Sequence, residues 1–146
     1  MTSTLPRIQR IAAKAVIFNA HGQVLIVREA STDPDNTKIG DYGLPGGRLE
    51  PGHGLHPTLL REVHDETGLV VVHHEVVDAG EWYPVIRGVP HQIVGIFYRC
   101  ELAEDNPEVN LSPEHDDHAW VLPRQRRKYP MMEPDGSVLD GIAKRT

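Results

Sequence analysis

The sequence predicts an α+β fold, an α/β/α sandwich built around a mixed central β-sheet. Strand-like segments precede and follow one well-marked amphipathic helix, which is the order expected of such layers. The chain has 146 residues, a length that suits one domain and suffices to bury one core. We therefore expect a single domain over residues 1–146.

The chain before the helix reads as a hairpin followed by a loop. Residues 8–18 combine alternation with β-branched side chains, and residues 23–28 include the apolar run VLIV. Residues 19–22 contain Asn and Gly and predict the turn between these two strands. Residues 29–42 are polar and rich in turn formers, so we expect a loop there.

The strongest helical pattern covers residues 55–67. Its apolar positions recur at helical spacing and form one stripe, made of Leu55, Leu59, Leu60 and Val63. Pro57 falls in the first turn, where its missing N–H costs little, and Gly68 is placed to end the helix. We expect the stripe to pack on the sheet and the charged face to bind a ligand.

The second half of the chain alternates strand-like runs with polar connections. We predict strands over 69–77, 91–101 and 118–122, separated by connections over 81–90 and 103–117. The segment that follows residue 122 is basic at its start and then loses clear periodicity. A short helix near 137–145 completes the prediction.

Composition excludes several classes of protein. Lys plus Arg number 15 against 21 Asp plus Glu, a formal charge of −6, which argues against binding a nucleic-acid polymer. Cys100 is the only cysteine, so neither an intramolecular disulfide nor a cysteine-based zinc cage is expected. No apolar run approaches the roughly 20 residues needed to span a bilayer, and the N-terminus lacks the apolar core of a signal peptide. We expect a cytoplasmic protein without a membrane partner.

Three carboxylates mark the charged face of the predicted helix. Glu62, Asp65 and Glu66 stand at i, i+3 and i+4, a spacing that projects them from one side. Unpaired carboxylates at this spacing repel one another and favour unfolding of that turn. A hard divalent cation is the natural partner for such a cluster.

The helix and the glycine turn before it together resemble the Nudix box. That motif has a glycine, a glutamate after five residues and, after seven more, the run Arg-Glu-apolar-x-Glu-Glu-x-Gly-apolar. The chain follows it with Gly47, position 53 and the run REVHDETGL over 61–69. Two positions depart, because His53 replaces the first glutamate and Asp65 replaces the first glutamate of the final pair. The order of predicted strands fits the Nudix fold over nearly the whole chain.

The resemblance implies a hydrolase that cleaves a nucleoside diphosphate linked to another group. It implies Mg²⁺ or Mn²⁺ as the cofactor, bound by Glu62 and Glu66 with further contacts at Asp65 and Gly46. Glu62, Glu66 and Arg61 become the candidate catalytic residues. Asp65 is one methylene shorter than glutamate, so we expect metal binding there to be weakened or rearranged and not lost.

His53 removes the carboxylate that, by resemblance, orients the arginine of the box. We hypothesise that Glu50 replaces it and pairs with Arg61, and we count Glu50 among the substrate-binding candidates. Among the histidines, only His53 is placed to act as a metal ligand.

Four further residues are candidates for substrate contacts. Arg28 ends the second predicted strand, where relatives often present a basic residue to the ligand, and Arg48 lies within the glycine turn. Trp82 and Tyr83 could stack on a nucleobase from the connection after residue 80. Solvated surface is the alternative for the arginines, and core packing is the alternative for the aromatic side chains.

The box does not decide which group activates the water. Glu66 is one candidate general base and Glu114, before the last predicted strand, is another. The ordinary alternative for Glu114 is an acidic loop position in water.

The identity of the substrate stays open between a nucleoside triphosphate, a nucleotide sugar and ADP-ribose. The alternative function is a Nudix-fold module that binds or senses a nucleotide without cleaving it, which the departures at His53 and Asp65 motivate. By analogy with small Nudix proteins, we expect a homodimer.

Overall fold

The computed structural model describes residues 7–30, 38–105 and 107–145. The strands are β1 Ile8–Phe18, β2 Val24–Glu29, β3 Tyr42–Gly43, β4 Gly46–Arg48, β5 Val71–Trp82, β6 Val85–Ile86, β7 Val89–Leu102 and β8 His115–Val121. The helices are α1 Leu55–Thr67, a 3₁₀ helix Pro123–Lys128 and α2 Asp135–Arg145. None of the helices in these ranges is long and apolar enough to cross a membrane.

Within the described residues, eight strands form one mixed sheet. Its main path runs β3-β2-β1-β7-β5, with β4 on β1, β6 on β7 and β8 on β2. β1 and β7 are parallel over eleven register pairs, from Ile8 with His91 to Phe18 with Glu101, and the other pairings are antiparallel. The predicted mixed sheet is confirmed.

A helix covers each face of the sheet. Leu59 and Val63 of α1 pack with Ala13, Ile17 and other buried residues on one face. Val138, Leu139 and Ile142 of α2 pack on the opposite face, in a second buried cluster that contains Val16 and Phe97. These two cores give the predicted α/β/α sandwich.

Several predicted elements are confirmed. β1 and β2 pair as the expected antiparallel hairpin, and α1 has the predicted bounds. Gly68 ends α1 with a φ of 74°, a left-handed conformation that favours glycine. Tyr98 is buried in the core.

Other boundaries differ from the prediction. β5 continues to Trp82, so much of the predicted 81–90 connection is strand, and Leu60 is 38 % exposed instead of buried in the apolar stripe. The predicted 29–42 loop begins within β2 and ends in β3, while its residues 31–37 lie outside the described part of the chain. The short strands β3, β4 and β6 carry too few residues to show a periodic pattern, and β8 begins within the predicted 103–117 loop.

Candidate active site

The glycine turn of β4 lies against the carboxylate face of α1. A Cβ at Gly47 would lie 2.6 Å from Glu62 Cδ, closer than carbon atoms pack. Gly46 has a φ of 148°, which favours glycine, and a Cβ there would strike the backbone oxygen of Ala13. The two glycines therefore allow the helix carboxylates to approach the turn directly.

The three helix carboxylates differ in burial. Glu66 is 5 % exposed, Glu62 is half-buried and Asp65 is exposed. The Gly46 N–H donates a hydrogen bond to Glu66 Oε2 at 3.3 Å, and the Glu62 carboxylate lies against Gly47. Glu62 and Glu66 thus converge over the turn, while Asp65 lies at the outer edge of the face.

Burial and repulsion raise the pKa of both inner carboxyls. The pKa of Glu66 lies well above its usual value, first because of burial and further because of Glu62 and Glu114, while Lys14 opposes the shift. The pKa of Glu62 is raised chiefly by burial, with Glu114 adding to the effect and Arg61 opposing it. A cation among these groups would relieve the repulsion.

The loop before β8 brings Glu114 close to these carboxylates. The Ser112 N–H donates to the Glu66 carbonyl at 3.0 Å, and the Ala30 N–H donates to the Glu114 carbonyl at 2.9 Å. The Glu114 side chain is exposed. It therefore stands near the site with access to solvent, as a candidate general base requires.

His115 is a site residue that the sequence reasoning missed. Its side chain is 4 % exposed, with Nε2 at 3.3 Å from Glu29 Oε1 and 3.7 Å from Glu66 Oε1. Its acidic and polar neighbours in the sequence led us to expect a surface loop. Only the pairing of β8 with β2 reveals that His115 points inward.

The hypothesised pair between Glu50 and Arg61 is wrong. Arg61 Nη2 lies 3.2 Å from Glu62 Oε1, the carboxylate next to it on α1. Glu50 Oε1 instead lies 3.4 Å from Arg10 Nη2, which also donates to the Leu49 carbonyl at 2.9 Å. Because β4 runs beside β1, the residues that follow β4 reach Arg10 before they can reach α1.

His53 lies beside the box arginine without joining the inner carboxylates. It is exposed and lines a cavity of about 230 Å³ together with Gly54, Pro57, Thr58 and Arg61. The structure therefore places it just before α1, next to the N-cap residue Gly54, at the opposite end of the helix from Glu66.

The two candidate arginines lie at the surface. Arg28 Nε donates to Asp116 Oδ1 at 2.6 Å, and its guanidinium lies over the Tyr42 ring. Asp116 raises the pKa of Arg28, chiefly through this hydrogen bond. Arg48 is exposed at the end of β4. A phosphate would have to share Arg28 with Asp116.

The two candidate aromatic residues do not line one pocket. The Trp82 ring packs where a Cβ of Gly95 would lie, and Lys14 Nζ sits 5.7 Å from its centroid. Tyr83 is 54 % exposed and donates a hydrogen bond to Glu81 Oε2 at 2.9 Å. Trp82 is the last residue of β5 and Tyr83 is the first residue after it, and successive residues of an extended chain point to different sides of the sheet.

The oxygen donors fit a magnesium-type cation in an open site. Within the described ranges, no group of three His, Cys, Asp or Glu side chains is arranged to hold a metal ion by itself. Mg²⁺ needs only one or two protein carboxylates and keeps several waters. The pair Glu62 and Glu66 could supply those carboxylates, with the Gly46 N–H against Glu66 and Asp65 at the outer edge of the face.

Comparison with known proteins agrees with this arrangement. A family model described as the NUDIX domain matches residues 8–140. The nucleoside triphosphatase NudI of Escherichia fergusonii is 26 % identical over 95 residues, which cover 62 % of this chain and 67 % of that protein.

Solved structures show the same fold. The MutT protein from Methanosarcina mazei superposes with a TM-score of 0.78 at 23 % identity, covering 97 % of this chain and 98 % of its own. An Ap4A hydrolase from Caenorhabditis elegans has a TM-score of 0.66 at 20 % identity, covering 93 % of this chain and 96 % of its own. From the family match, the fold and the carboxylate helix beside its glycine turn, we conclude that the chain belongs to the Nudix family and is a Nudix hydrolase.

Proposed function

We propose that this Nudix hydrolase requires a divalent metal and cleaves the pyrophosphate bond of a nucleotide-type small molecule. The observation that carries the proposal is the convergence of Glu62 and Glu66 over the Gly46 and Gly47 turn. A buried and a half-buried carboxylate, both with raised pKa values, form an unfavourable pair unless a cation or a proton lies between them.

Glu62 and Glu66 would hold the metal, with Gly46 and Asp65 as further contacts. Mg²⁺ or Mn²⁺ bound there would neutralise the charge of the diphosphate and activate a water. Arg61 keeps the Glu62 carboxylate in place through their 3.2 Å contact.

The remaining candidates serve the substrate. Arg28, half-buried near the end of β2, and Arg48, exposed at the end of β4, would contact phosphate oxygens. Trp82 and Tyr83 would offer separate stacking surfaces, since they face different sides of the sheet. Glu66 or Glu114 would accept the proton released by the attacking water.

Nucleoside triphosphates are the first substrates to test. The curated relative NudI is named a nucleoside triphosphatase, and the similar structure from Caenorhabditis elegans is named an Ap4A hydrolase. Nucleotide sugars and ADP-ribose belong on the same panel, because the site residues recognise the diphosphate that all of these compounds contain.

The test is product release over a nucleotide panel with Mg²⁺ or Mn²⁺ and again with EDTA. We expect metal-dependent release of a nucleoside monophosphate from at least one substrate. Glu66→Gln should lower kcat by about 100-fold or more, the order found when a group that stabilises developing charge is removed. His64→Gln is the matched control, because His64 is exposed on the same helix and should leave kcat unchanged.

The alternative is a nucleotide-binding module that has lost catalysis. His53 and Asp65, which replace two glutamates of the motif, favour it. Binding of a nucleotide without metal-dependent product from any member of the panel would support the module and refute the hydrolytic proposal.

We also propose that the protein is a cytoplasmic homodimer. Exposed valines on β5, the end strand of the main sheet path, support a contact between copies; these are Val72 and Val76. Light scattering after size exclusion should give twice the 16.3 kDa mass of the chain.

A further inference from the structure

His115 is a buried histidine placed between two carboxylates. Nε2 lies 3.3 Å from Glu29 Oε1 and 3.7 Å from Glu66 Oε1, while the side chain is 4 % exposed. A histidine side chain this deeply buried is uncommon unless the ring has a structural or functional partner. The two carboxylates come from different elements, Glu29 from the end of β2 and Glu66 from the last turn of α1.

A change of register between β2 and β8 brings His115 to this position. Arg28 pairs with Asp117 and Glu29 pairs with His115, so Asp116 is the extra residue of a β-bulge. In a regular ladder Glu29 would lie opposite Asp116. The bulge instead leaves Asp116 outside, against Arg28, and directs the His115 ring inward.

Backbone hydrogen bonds fix the segment that carries the ring. The Ser112 N–H donates to the Glu66 carbonyl at 3.0 Å, and the His115 N–H donates to the Ser112 carbonyl at 3.1 Å. The Asn110 N–H donates to the Thr67 carbonyl at 2.8 Å. The imidazole is therefore held against the end of α1 by its own main chain as well as by its ring.

The two ring nitrogens have different surroundings. Nε2 faces carboxylate oxygens, which accept hydrogen bonds, whereas Nδ1 is buried without a hydrogen-bond partner among the described residues. Nε2 is therefore the ring nitrogen placed to donate to the carboxylates. A buried nitrogen without a partner costs stability, so selection for folding alone would not favour this arrangement.

We propose that His115 is a positioning residue that holds the Glu66 carboxylate, by bridging it to Glu29, in the orientation that the metal and the substrate require. The proposal rests on the role of Glu66 in the proposed function. Mutation of a group that holds a metal ligand in place commonly lowers metal affinity or activity by roughly 10- to 100-fold.

The test uses two substitutions of different chemistry. His115→Leu fills much of the space but removes the N–H, whereas His115→Gln can place an amide N–H near the position of Nε2. We expect His115→Leu to weaken Mn²⁺ binding to the free protein by about 10- to 100-fold. Titration calorimetry without substrate measures this binding. kcat should fall in proportion while KM for the substrate changes little, and His115→Gln should recover most of both losses.

His74→Gln is the matched control. His74 also contacts a carboxylate, with Nε2 at 3.4 Å from Glu101 Oε2, but it lies on β5, separated from β8 by β7, β1 and β2. This variant should bind Mn²⁺ and turn over substrate as the unmodified protein does. If His115→Leu fails to fold, His115→Asn replaces it, because asparagine is polar but too short to reach the Nε2 position.

Parallel measurements on Glu66→Gln separate the two proposals. Weak Mn²⁺ binding in Glu66→Gln with unchanged binding in His115→Leu would overturn the positioning role alone. Unchanged binding and turnover in Glu66→Gln would overturn the assignment of Glu66 and the role of His115 together. Equal losses in His115→Leu and His115→Gln would show that the ring acts by packing, and would also overturn the proposal.

Discussion

At the residue scale, the site requires that positions 46 and 47 have no side chain, which only glycine provides. Any other residue at Gly47 would occupy the place of the Glu62 carboxylate. The constraint is therefore steric and acts on one metal-binding candidate directly. Gly46 adds a backbone N–H that holds the other candidate, Glu66.

Gly47→Ala should lower turnover strongly and stability moderately. The new methyl would lie 2.6 Å from Glu62 Cδ and 2.7 Å from its Oε2, so the carboxylate must turn away. Overpacking of this kind destabilises a protein by roughly 1–3 kcal/mol. Misplacing a catalytic group by about 1 Å can lower the rate about 100-fold. Urea unfolding and kcat measure the two effects.

Gly141→Ala is the control for the added methyl. Gly141 lies in α2, and the nearest neighbour of its Cβ would be the flexible end of Arg145 at 3.4 Å. Turnover should not change, and stability should rise by up to about 1 kcal/mol because alanine favours helix. A similar loss of kcat in both variants would contradict the steric role of Gly47.

At the element scale, a buried ion pair joins α2 to the sheet near the site. Lys14 Nζ on β1 lies 2.9 Å from Oδ2 of Asp135, the first residue of α2. The same oxygen accepts a hydrogen bond from the Leu44 N–H at 2.8 Å, just before the glycine turn. Asp135 is 1 % exposed, so it gives the Lys14 ammonium a buried counter-charge and the Leu44 N–H a buried acceptor.

Asp135→Ala should destabilise the fold by about 3–5 kcal/mol, because it leaves the Lys14 ammonium and the Leu44 N–H without this acceptor. The double variant Lys14→Met with Asp135→Asn should recover much of the loss. It removes both charges and retains an oxygen for the Leu44 N–H. Urea unfolding of the single and the double variant measures the two free energies of unfolding. Equal losses in the two variants would mean that the broken ion pair does not cause the instability.

At the scale of the whole molecule, the centre of the sheet is closed to solvent. β7 lies between β1 and β5, and its Cys100 is fully buried in the core on the α1 side. Burial raises the pKa of the Cys100 thiol to about 12. Chemical access to this thiol therefore requires opening of the sheet.

A thiol reagent at pH 8 should label Cys100 only as fast as the protein unfolds. With a pKa of about 12, only about one native thiol in ten thousand is ionised at this pH, and the reagent cannot reach it. In concentrated urea the single cysteine should react at once. Rapid labelling of the native protein, followed by absorbance, would contradict the closed core.

Local patterns were sufficient to predict much of this molecule. The bounds of α1, the hairpin of β1 and β2 and the end at Gly68 depend on neighbours along the chain, so periodicity and turn chemistry reveal them. The same holds for the spacing of Glu62 and Glu66, because both lie on one helix. The family resemblance follows from that spacing, and it indicated the chemistry before any contact was known.

Contacts between distant segments could not be predicted in this way. The partner of Glu50 is Arg10 because β4 lies beside β1, and His115 meets Glu66 because β8 joins β2 through a bulge. Trp82 and Tyr83 separate because β5 extends further than its pattern indicated.

The sequence alone thus determined the family, the layers and the carboxylate helix of this hydrolase. The tertiary structure decided which carboxylate is buried, which arginine pairs with which acid, and that a histidine stands behind Glu66. The physical reason is that helix spacing is a local property, whereas burial and ion pairing depend on which strands the folded chain places side by side.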